Sequence, residues 1–381
     1  MAFGGILHPP CPKGEWDIGN HTRMHIDFSA HNTWDTCAAK WYELYIHNRR
    51  RRWPKALRDD ALCLGSLVHE GLRVWQQTRT VEIPAAVQEE CTPTRDCLSL
   101  AEELVYGYAT HYPEERWPLI VCEEPCLFPL VYQKGLKSPD IELTGLAKID
   151  AYFYVPEVTT IESGFGIEYT LNPGWWIHEY KTKSPYVSLP LYMQGWEMGM
   201  QASYQMLALQ HKLLNEMEYR DFQMHNGVQG ILVNVIEKPR RSIPKRTCRS
   251  CKEISEMNTW IPTGTGEYSC PLCGNRQKLT PLKENPVLIP PAYYRIAVSR
   301  TMEELSRAKA EMIQVGERMI AMEAGGKMSE PWRKSSCVDF QYKRPCDYFG
   351  ACKNGEDTRT NDQDYFSPVD YRGLVVIGET A

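Results

Sequence analysis

No stretch of this 381-residue chain approaches the ~20 consecutive apolar residues that a membrane-crossing helix needs. The opening residues, Met1-Ala2-Phe3-Gly4-Gly5, show no charged region followed by an apolar run, so no secretory leader is read there. A Gly-x-x-x-x-Gly-Lys-Ser/Thr phosphate loop is missing, which excludes a P-loop motor within the chain. Internal repeats and low-complexity tracts are absent. An excess of basic residues is lacking too. The net charge of −5 does not advertise nucleic-acid binding, so the local distribution of charge has to decide. These absences give the expectation of a cytoplasmic protein with no membrane partner.

What is present fits a soluble globular chain: 43% apolar and 24% charged residues, enough length for one large domain with insertions or for two. Arg49-Arg50-Arg51-Arg52 and Lys238-Pro239-Arg240-Arg241 are local basic runs, suited to phosphates or to solvated loops. Fourteen cysteines are many for a cytosolic protein, where disulfides are rare, so grouped cysteines point to metal. Cys11, Cys63, Cys91, Cys97, Cys122 and Cys126 fall outside any group and read as core or loop thiols.

Residues 1–28 read as an irregular arm. Residues 29–117 read as helical, with Trp34, Cys37, Ala38, Trp41, Leu44 and Tyr45 on one helical face and a second helix over about 64–77. Residues 118–239 alternate strands with a helix. Leu143 to Val155 reads as one strand. Asn172-Pro173-Gly174 reads as a hairpin turn between Glu168–Leu171 and Trp175–Lys181. A helix is predicted over about 195–214 and a buried strand over 230–236. A cysteine-rich insertion occupies 240–285. The segment 286–352 holds a strand near Tyr293 and an amphipathic helix opened by the capping box Thr301-Met302-Glu303-Glu304. Residues 353–381 form a polar tail.

Chemistry concentrates at strand ends. In Ile177-His178-Glu179-Tyr180-Lys181 the side chains of Glu179 and Lys181 leave the same face of a strand. Asp150 closes Gly145-Leu146-Ala147-Lys148-Ile149-Asp150 upstream. His69 sits on the preceding helix in Gly65-Ser66-Leu67-Val68-His69, and Gln201 and Tyr204 lie three apart on the following one. Two carboxylates beside a lysine suit hard divalent cations, Mg²⁺ or Mn²⁺, and phosphodiester hydrolysis.

This series resembles the RecB-like branch of the PD-(D/E)XK nuclease superfamily, whose members include CRISPR-associated RecB-like exonucleases and phage exonucleases. The resemblance spans about 29–236 and 290–352. It implies a restriction-endonuclease-like α/β core, a mixed sheet flanked by helices. It also implies that His69, Asp150, Glu179 and the carbonyl of Tyr180 bind metal, that Lys181 is the catalytic lysine, and that Gln201 and Tyr204 position DNA or the lysine. One departure is the spacing Gln201-x-x-Tyr204, a residue shorter than the family's Q-x-x-x-Y.

Cys248-x-x-Cys251, 18 residues, then Cys270-x-x-Cys273 has the spacing of a zinc ribbon, in which four thiolates hold Zn²⁺. Lys245, Arg246, Arg249 and Lys252 beside the first pair are placed to touch DNA. Cys337, Cys346 and Cys352 are ambiguous by spacing alone. The resemblance implies that Cys37 joins them around a 4Fe–4S cluster stapling the N- and C-terminal segments, Cys346 and Cys352 matching the C-x5-C pair. Here the departure is the eight-residue gap between Cys337 and Cys346.

The resulting expectation is a Mg²⁺- or Mn²⁺-dependent deoxyribonuclease acting as an exonuclease on linear or single-stranded DNA. It would serve recombination, repair or end processing in a bacterial or phage-infected cell, with a recombination or repair protein as a possible partner. A structure-specific endonuclease and a non-catalytic DNA-binding or assembly subunit are the alternatives.

Overall fold

The structure is a computed structural model. It describes residues 21–47, 49–51, 60–91, 93–113, 115–122, 125–133, 140–216, 226–242, 245–252, 254–256, 260–264, 267–279, 287–325, 338–339, 344–346, 348, 352 and 365–366. The chain is a mixed α/β fold. No helix among the described residues is long and apolar enough to cross a membrane.

The chain opens with β1 (His21–Asp27), α1 (Phe28–Thr36), α2 (Ala38–Trp41), a π-helical turn at Tyr42–Ile46 and β2 (Arg50–Arg51). Three helices follow: α3 (Asp60–Thr78), α4 (Ala85–Cys91) and α5 (Arg95–His111). Next come β3 (Ile120–Val121), β4 (Cys126–Gln133), β5 (Asp140–Ala147), β6 (Ala151–Val155), β7 (Thr159–Glu162), β8 (Glu168–Leu171) and β9 (Gly174–Lys183). Helices α6 (Leu189–Met198) and α7 (Met200–Glu216) lead to β10 (Val228–Glu237). Short strands β11 (Arg240–Ser242), β12 (Lys245–Thr247), β13 (Ile254–Glu256), β14 (Ile261–Gly264), β15 (Glu267–Ser269), β16 (Arg276–Lys278) and β17 (Val287–Ile289) precede β18 (Ala292–Ser299) and α8 (Met302–Gly325).

Five strands form the central sheet in the order β18-β10-β9-β6-β3. Strands β9 and β10 are parallel; the other neighbours are antiparallel. A parallel pair needs a crossover, which α6 and α7 supply. On one face, α7 packs against Ile177, Val233 and Val235. The same helix meets a second sheet, β1-β5-β4, so its two sides are buried between sheets. On the opposite face α3 and α5 bury Leu67, Leu72, Leu104 and Val105 against Tyr180 and Ile236. A Cβ on Gly71 would stand 2.8 Å from Val105, so that glycine lets α3 and α5 approach. The Thr301–Glu304 capping box forms reciprocally, at 2.7 and 3.1 Å, and the stripe from Leu305 to Met322 is buried.

Several expectations need correction. The described part of the 1–28 arm is a strand, β1, whose alternate residues Met24 and Ile26 are fully buried. The helix through Cys37 breaks there, where the backbone is extended (φ −166°, ψ 113°). The strand expected over Leu143–Val155 is two strands, β5 and β6, in different sheets, with Lys148-Ile149-Asp150 turning between them. Asn172-Pro173-Gly174 does not close a hairpin: β8 pairs with β7, and β9 pairs with β6 and β10. The helix expected over 195–214 starts at Leu189 and breaks at Gly199. There Arg300 Nη2 donates to the carbonyls of Trp196 (3.0 Å) and Gly199 (3.3 Å), satisfying the end of α6.

Candidate functional site

The alternation of β9 sets the site. Ile177, Glu179 and Lys181 face α7, while His178 and Tyr180 face α3 and α5. Asp150 lies immediately before β6, the antiparallel neighbour of β9, so its carboxylate meets the middle of β9. Its Oδ2 accepts from the backbone N–H of Tyr180 at 3.0 Å. His69 arrives from α3 and places Nδ1 3.3 Å from the same oxygen.

Glu179 is held from three sides. Lys181 Nζ lies 2.6 Å from Oε1, Gln201 Nε2 donates to Oε1 at 3.2 Å, and Gln205 Nε2 donates to Oε2 at 2.8 Å. Gln205 Nε2 also lies 3.1 Å from the carbonyl oxygen of Lys148, two residues before Asp150. One amide therefore touches both carboxylate-bearing segments. The Lys181 ammonium stands 5.8 Å from the Trp196 ring of α6.

The electrostatics follow from burial and these neighbours. Burial works against the Asp150 carboxylate, but His69, Lys181 and the Tyr180 N–H outweigh it and hold it far below the usual carboxylate range. Glu179 moves the other way: burial, with Asp150 beside it, raises its pKa although Lys181 opposes. Burial disfavours the Lys181 cation, but the carboxylates of Glu179 and Asp150 prevail and raise its pKa. Lys181 therefore stays cationic at neutral pH.

The site brings together His69, Asp150, Glu179, Lys181 and Gln201. His69, Asp150 and Glu179 are not a group whose ligand atoms all lie within 4.8 Å of one another. Each carboxylate instead holds a protein cation or N–H, as two neighbouring anions do to limit repulsion. Tyr204 is not part of this cluster: its hydroxyl bonds His31 Nδ1 at 3.0 Å on another side of α7. Gln205 takes the place expected of it. The residue four positions after Gln201 sits about 40° from it around a helix, and Tyr204 and Gln205 are about 100° apart. The i, i+4 pair Gln201 and Gln205 was the signal available in the sequence.

Behind Tyr180 lies a buried polar network that sequence reasoning missed. The Tyr180 hydroxyl accepts from Gln76. Asn234 Nδ2 lies 3.0 Å from His178 Nε2, and its Oδ1 accepts from Tyr108 (2.9 Å) and Arg295 (3.0 Å). Arg295 Nη2 reaches both oxygens of Glu115, at 2.8 and 2.7 Å. Burial alone would raise the Glu115 pKa; His178 and Arg295 hold it down at about 2. These side chains come from five elements and, for Glu115, from the connection after α5, with no local spacing to reveal them.

The second cluster is the cysteine insertion. The thiol sulfurs of Cys248, Cys251, Cys270 and Cys273 all lie within 4.8 Å of one another, a group able to hold a metal. Cys248 and Cys273 are 3.6 Å apart, Cys251 and Cys270 3.9 Å. Each Cys-x-x-Cys is followed by a residue of positive φ, Lys252 (64°) and Gly274 (70°). Their N–H groups donate to Cys248 and Cys270 carbonyls at 3.0 and 2.9 Å, so the two knuckles share one backbone turn. Backbone N–H donation from Cys251 lowers the Cys248 thiol pKa to about 6, favouring thiolate. Trp260 and Leu279 bury the base of the group.

The four cysteines expected around an iron–sulfur cluster are not all in view. Cys337 lies outside the described residues. Cys37 is buried at the α1–α2 break, and Cys346 and Cys352 are half-buried around Tyr348. Tyr348 packs on Leu44 and donates its hydroxyl to the Arg49 carbonyl. β2 pairs with Tyr365–Phe366. The C-terminal segment thus returns to the N-terminal helical region. No protein-family model, curated protein or solved structure matches this chain.

Proposed function

We propose that the chain is a divalent-metal-dependent deoxyribonuclease that degrades linear or single-stranded DNA from its ends. The observation that carries this reading is the pair of carboxylates, Asp150 and Glu179, beside Lys181 on β9, an inner strand of the central sheet, with the lysine ammonium 2.6 Å from Glu179. The donors fit Mg²⁺ or Mn²⁺, which take carboxylate and carbonyl oxygens. Asp150 and Glu179 would hold the ion, with the Tyr180 carbonyl and His69 as further ligands. When bound, such an ion polarises the phosphate and lowers the pKa of water.

The chain's own residues divide the remaining work. Gln201 and Gln205 fix the Glu179 carboxylate, and Gln205 ties it to the Lys148 carbonyl beside Asp150. Lys181, 2.6 Å from Glu179 Oε1, keeps its ammonium beside the carboxylates and assists the attacking water. Its ammonium would offset the charge that grows on the phosphate oxygens as water adds to phosphorus and the ester oxygen departs, the water's proton passing to solvent and the departing oxygen taking one up from solvent. Burial of Glu179 keeps bulk water from screening that interaction. Exposed Tyr186, Leu191 and Met198, on the segment after β9 and on α6, offer apolar and aromatic surface for unstacked bases.

The four-thiolate group suits Zn²⁺. Tetrahedral Zn–S bonds of ~2.3 Å set sulfurs ~3.8 Å apart, between the 3.6 and 3.9 Å separations found. Four thiolates leave no open position, so the ion there is structural. A 4Fe–4S cluster at Cys37, Cys337, Cys346 and Cys352 is supported by the return of Tyr348 onto Leu44 and Arg49. DNA and a recombination or repair protein are the partners this reading entails, in the cytoplasm of a bacterial or phage-infected cell.

The test uses end-labelled linear DNA and closed circular single-stranded DNA with Mn²⁺ or Mg²⁺. Loss from labelled ends with intact circles is expected. Cut circles would make the enzyme an endonuclease. Asp150→Ala and Lys181→Ala should each lower cleavage by about 10²–10³-fold or more while leaving DNA binding and the circular-dichroism spectrum intact. Unchanged cleavage in either variant refutes the site. DNA binding without cleavage under any divalent metal would favour an assembly subunit.

A further inference from the structure

His31 and Asp35 stand one helical turn apart on the same face of α1, and Glu311 of α8 lies opposite them. His31 Nε2 is 3.3 Å from Asp35 Oδ2 and 3.7 Å from Glu311 Oε1, and the three ligand atoms all lie within 4.8 Å of one another. The histidine is 1% exposed, whereas the two carboxylate side chains are 46% and 53% exposed. Its Nε2 is buried and meets the two acids at ion-pair distance without completing a hydrogen bond of good geometry. That nitrogen points into the gap between two acids.

A buried polar atom left without a well-formed hydrogen bond is destabilising. Two carboxylates brought together repel each other. One divalent cation removes both costs, because the nitrogen lone pair and the carboxylate oxygens are all donors to it. We propose that His31, Asp35 and Glu311 bind a divalent transition-metal ion of the Zn²⁺ class, with the remaining coordination position open to water. Tetrahedral bonds of ~2.1 Å place such donors ~3.4 Å apart; the histidine-to-acid separations bracket that value. An imidazole with two carboxylates suits Zn²⁺ or Mn²⁺ better than Mg²⁺ or Ca²⁺, which favour oxygen alone.

Tyr204 is the partner that makes the histidine a ligand. Its hydroxyl sits 3.0 Å from Nδ1. Accepting the Nδ1 proton fixes the tautomer in which Nε2 carries its lone pair, as outer partners of metal-bound histidines do. The exposed acids give the ion a path from solvent. Once bound, it clamps α1 to α8. The site shares no ligand with the thiol group or with the Asp150–Glu179 cluster.

The test uses the full-length chain carrying Asp150→Ala, so that the candidate active site contributes little. The protein is dialysed against buffered free Zn²⁺ and its metal counted, with and without Glu311→Gln. Glu311 is exposed, so this variant keeps the fold. One Zn²⁺ per chain beyond the thiolate-bound ion is expected in the parent, with affinity weakened at least about 100-fold in Glu311→Gln. Co²⁺ supplies a second readout: the parent should add visible absorption of a nitrogen–oxygen site, separate from the intense thiolate bands, and Glu311→Gln should lose only that addition. Equal Zn²⁺ uptake and equal Co²⁺ spectra in the two proteins would overturn the proposal. So would a parent that binds no ion beyond the thiolate site. Neither result bears on the nuclease reading.

Discussion

Replacing Gln205 by alanine removes the one amide that links both carboxylate-bearing segments. Its Nε2 donates to Glu179 Oε2 at 2.8 Å and lies 3.1 Å from the Lys148 carbonyl oxygen. Glu179 is 2% exposed, so water has little access to replace the lost donor. A hydrogen bond to a charged group contributes about 1.5–3 kcal/mol, or roughly 10–150-fold in an equilibrium. Oε1 keeps Lys181 at 2.6 Å and Gln201 at 3.2 Å, so the damage falls on Oε2 alone. Initial rates on end-labelled linear DNA across a Mn²⁺ titration measure it. Half-maximal cleavage should need about 10–100-fold more Mn²⁺, with a smaller fall in the rate at saturation. Gln201→Ala should shift the curve less, because its bond is longer and Lys181 shares the oxygen. Tyr204→Phe should leave the curve in place, since that hydroxyl meets His31. A Gln205→Ala curve that overlays the wild type, or a larger shift in Tyr204→Phe, would refute the placement of α7 against Glu179.

Two further outcomes follow from the buried groups. Glu115 is held near pKa 2 against an ordinary 4.5, so its ionised form adds stability that is fully present above about pH 4.5 and is lost as pH falls towards 2. The shift corresponds to on the order of 3 kcal/mol. Denaturant melts should therefore show the gap between wild type and Glu115→Gln narrowing by that much between pH 6 and 2.5; a gap independent of pH would contradict it. Metal analysis of anaerobically purified protein should find zinc that Cys270→Ser removes, and iron, with absorption near 400 nm, that Cys352→Ser removes. Zinc without iron would eliminate the cluster.

Much of the local structure was legible because it depends on short-range periodicity. The stripe of Leu305, Ala308, Met312, Val315, Met319 and Met322 and the Thr301 capping box follow from a 3.6-residue repeat and from helix-end hydrogen bonding. The common facing of Glu179 and Lys181 follows from strand alternation. Convergence of Cys248, Cys251, Cys270 and Cys273 follows from two tight Cys-x-x-Cys turns at ribbon spacing. The breaks were not legible. The run from Leu143 to Val155 is largely apolar, interrupted by Thr144, Lys148 and Asp150, and the choice of partner strands divides it into β5 and β6 at Lys148-Ile149-Asp150. The turn residues Asn172-Pro173-Gly174 mark a chain reversal, but pairing depends on which edges are open, and β7 and β10 compete better for β8 and β9.

By itself, the sequence determined which residues share a face of an element and which cysteines can close a knuckle, because those relations lie within a few residues. The tertiary structure decided which faces meet. Little more than one turn of α7 offers Gln201, Tyr204 and Gln205, and burial of that helix between two sheets sends the two amides to Glu179 and the hydroxyl to His31. Glu115 and Arg295 are 180 residues apart in the chain, and Tyr108 and Arg295 are 187 apart. His31 and Glu311 meet across 280. Contacts of that range leave no periodic trace, because they are set by how amphipathic surfaces exclude water together rather than by any local repeat.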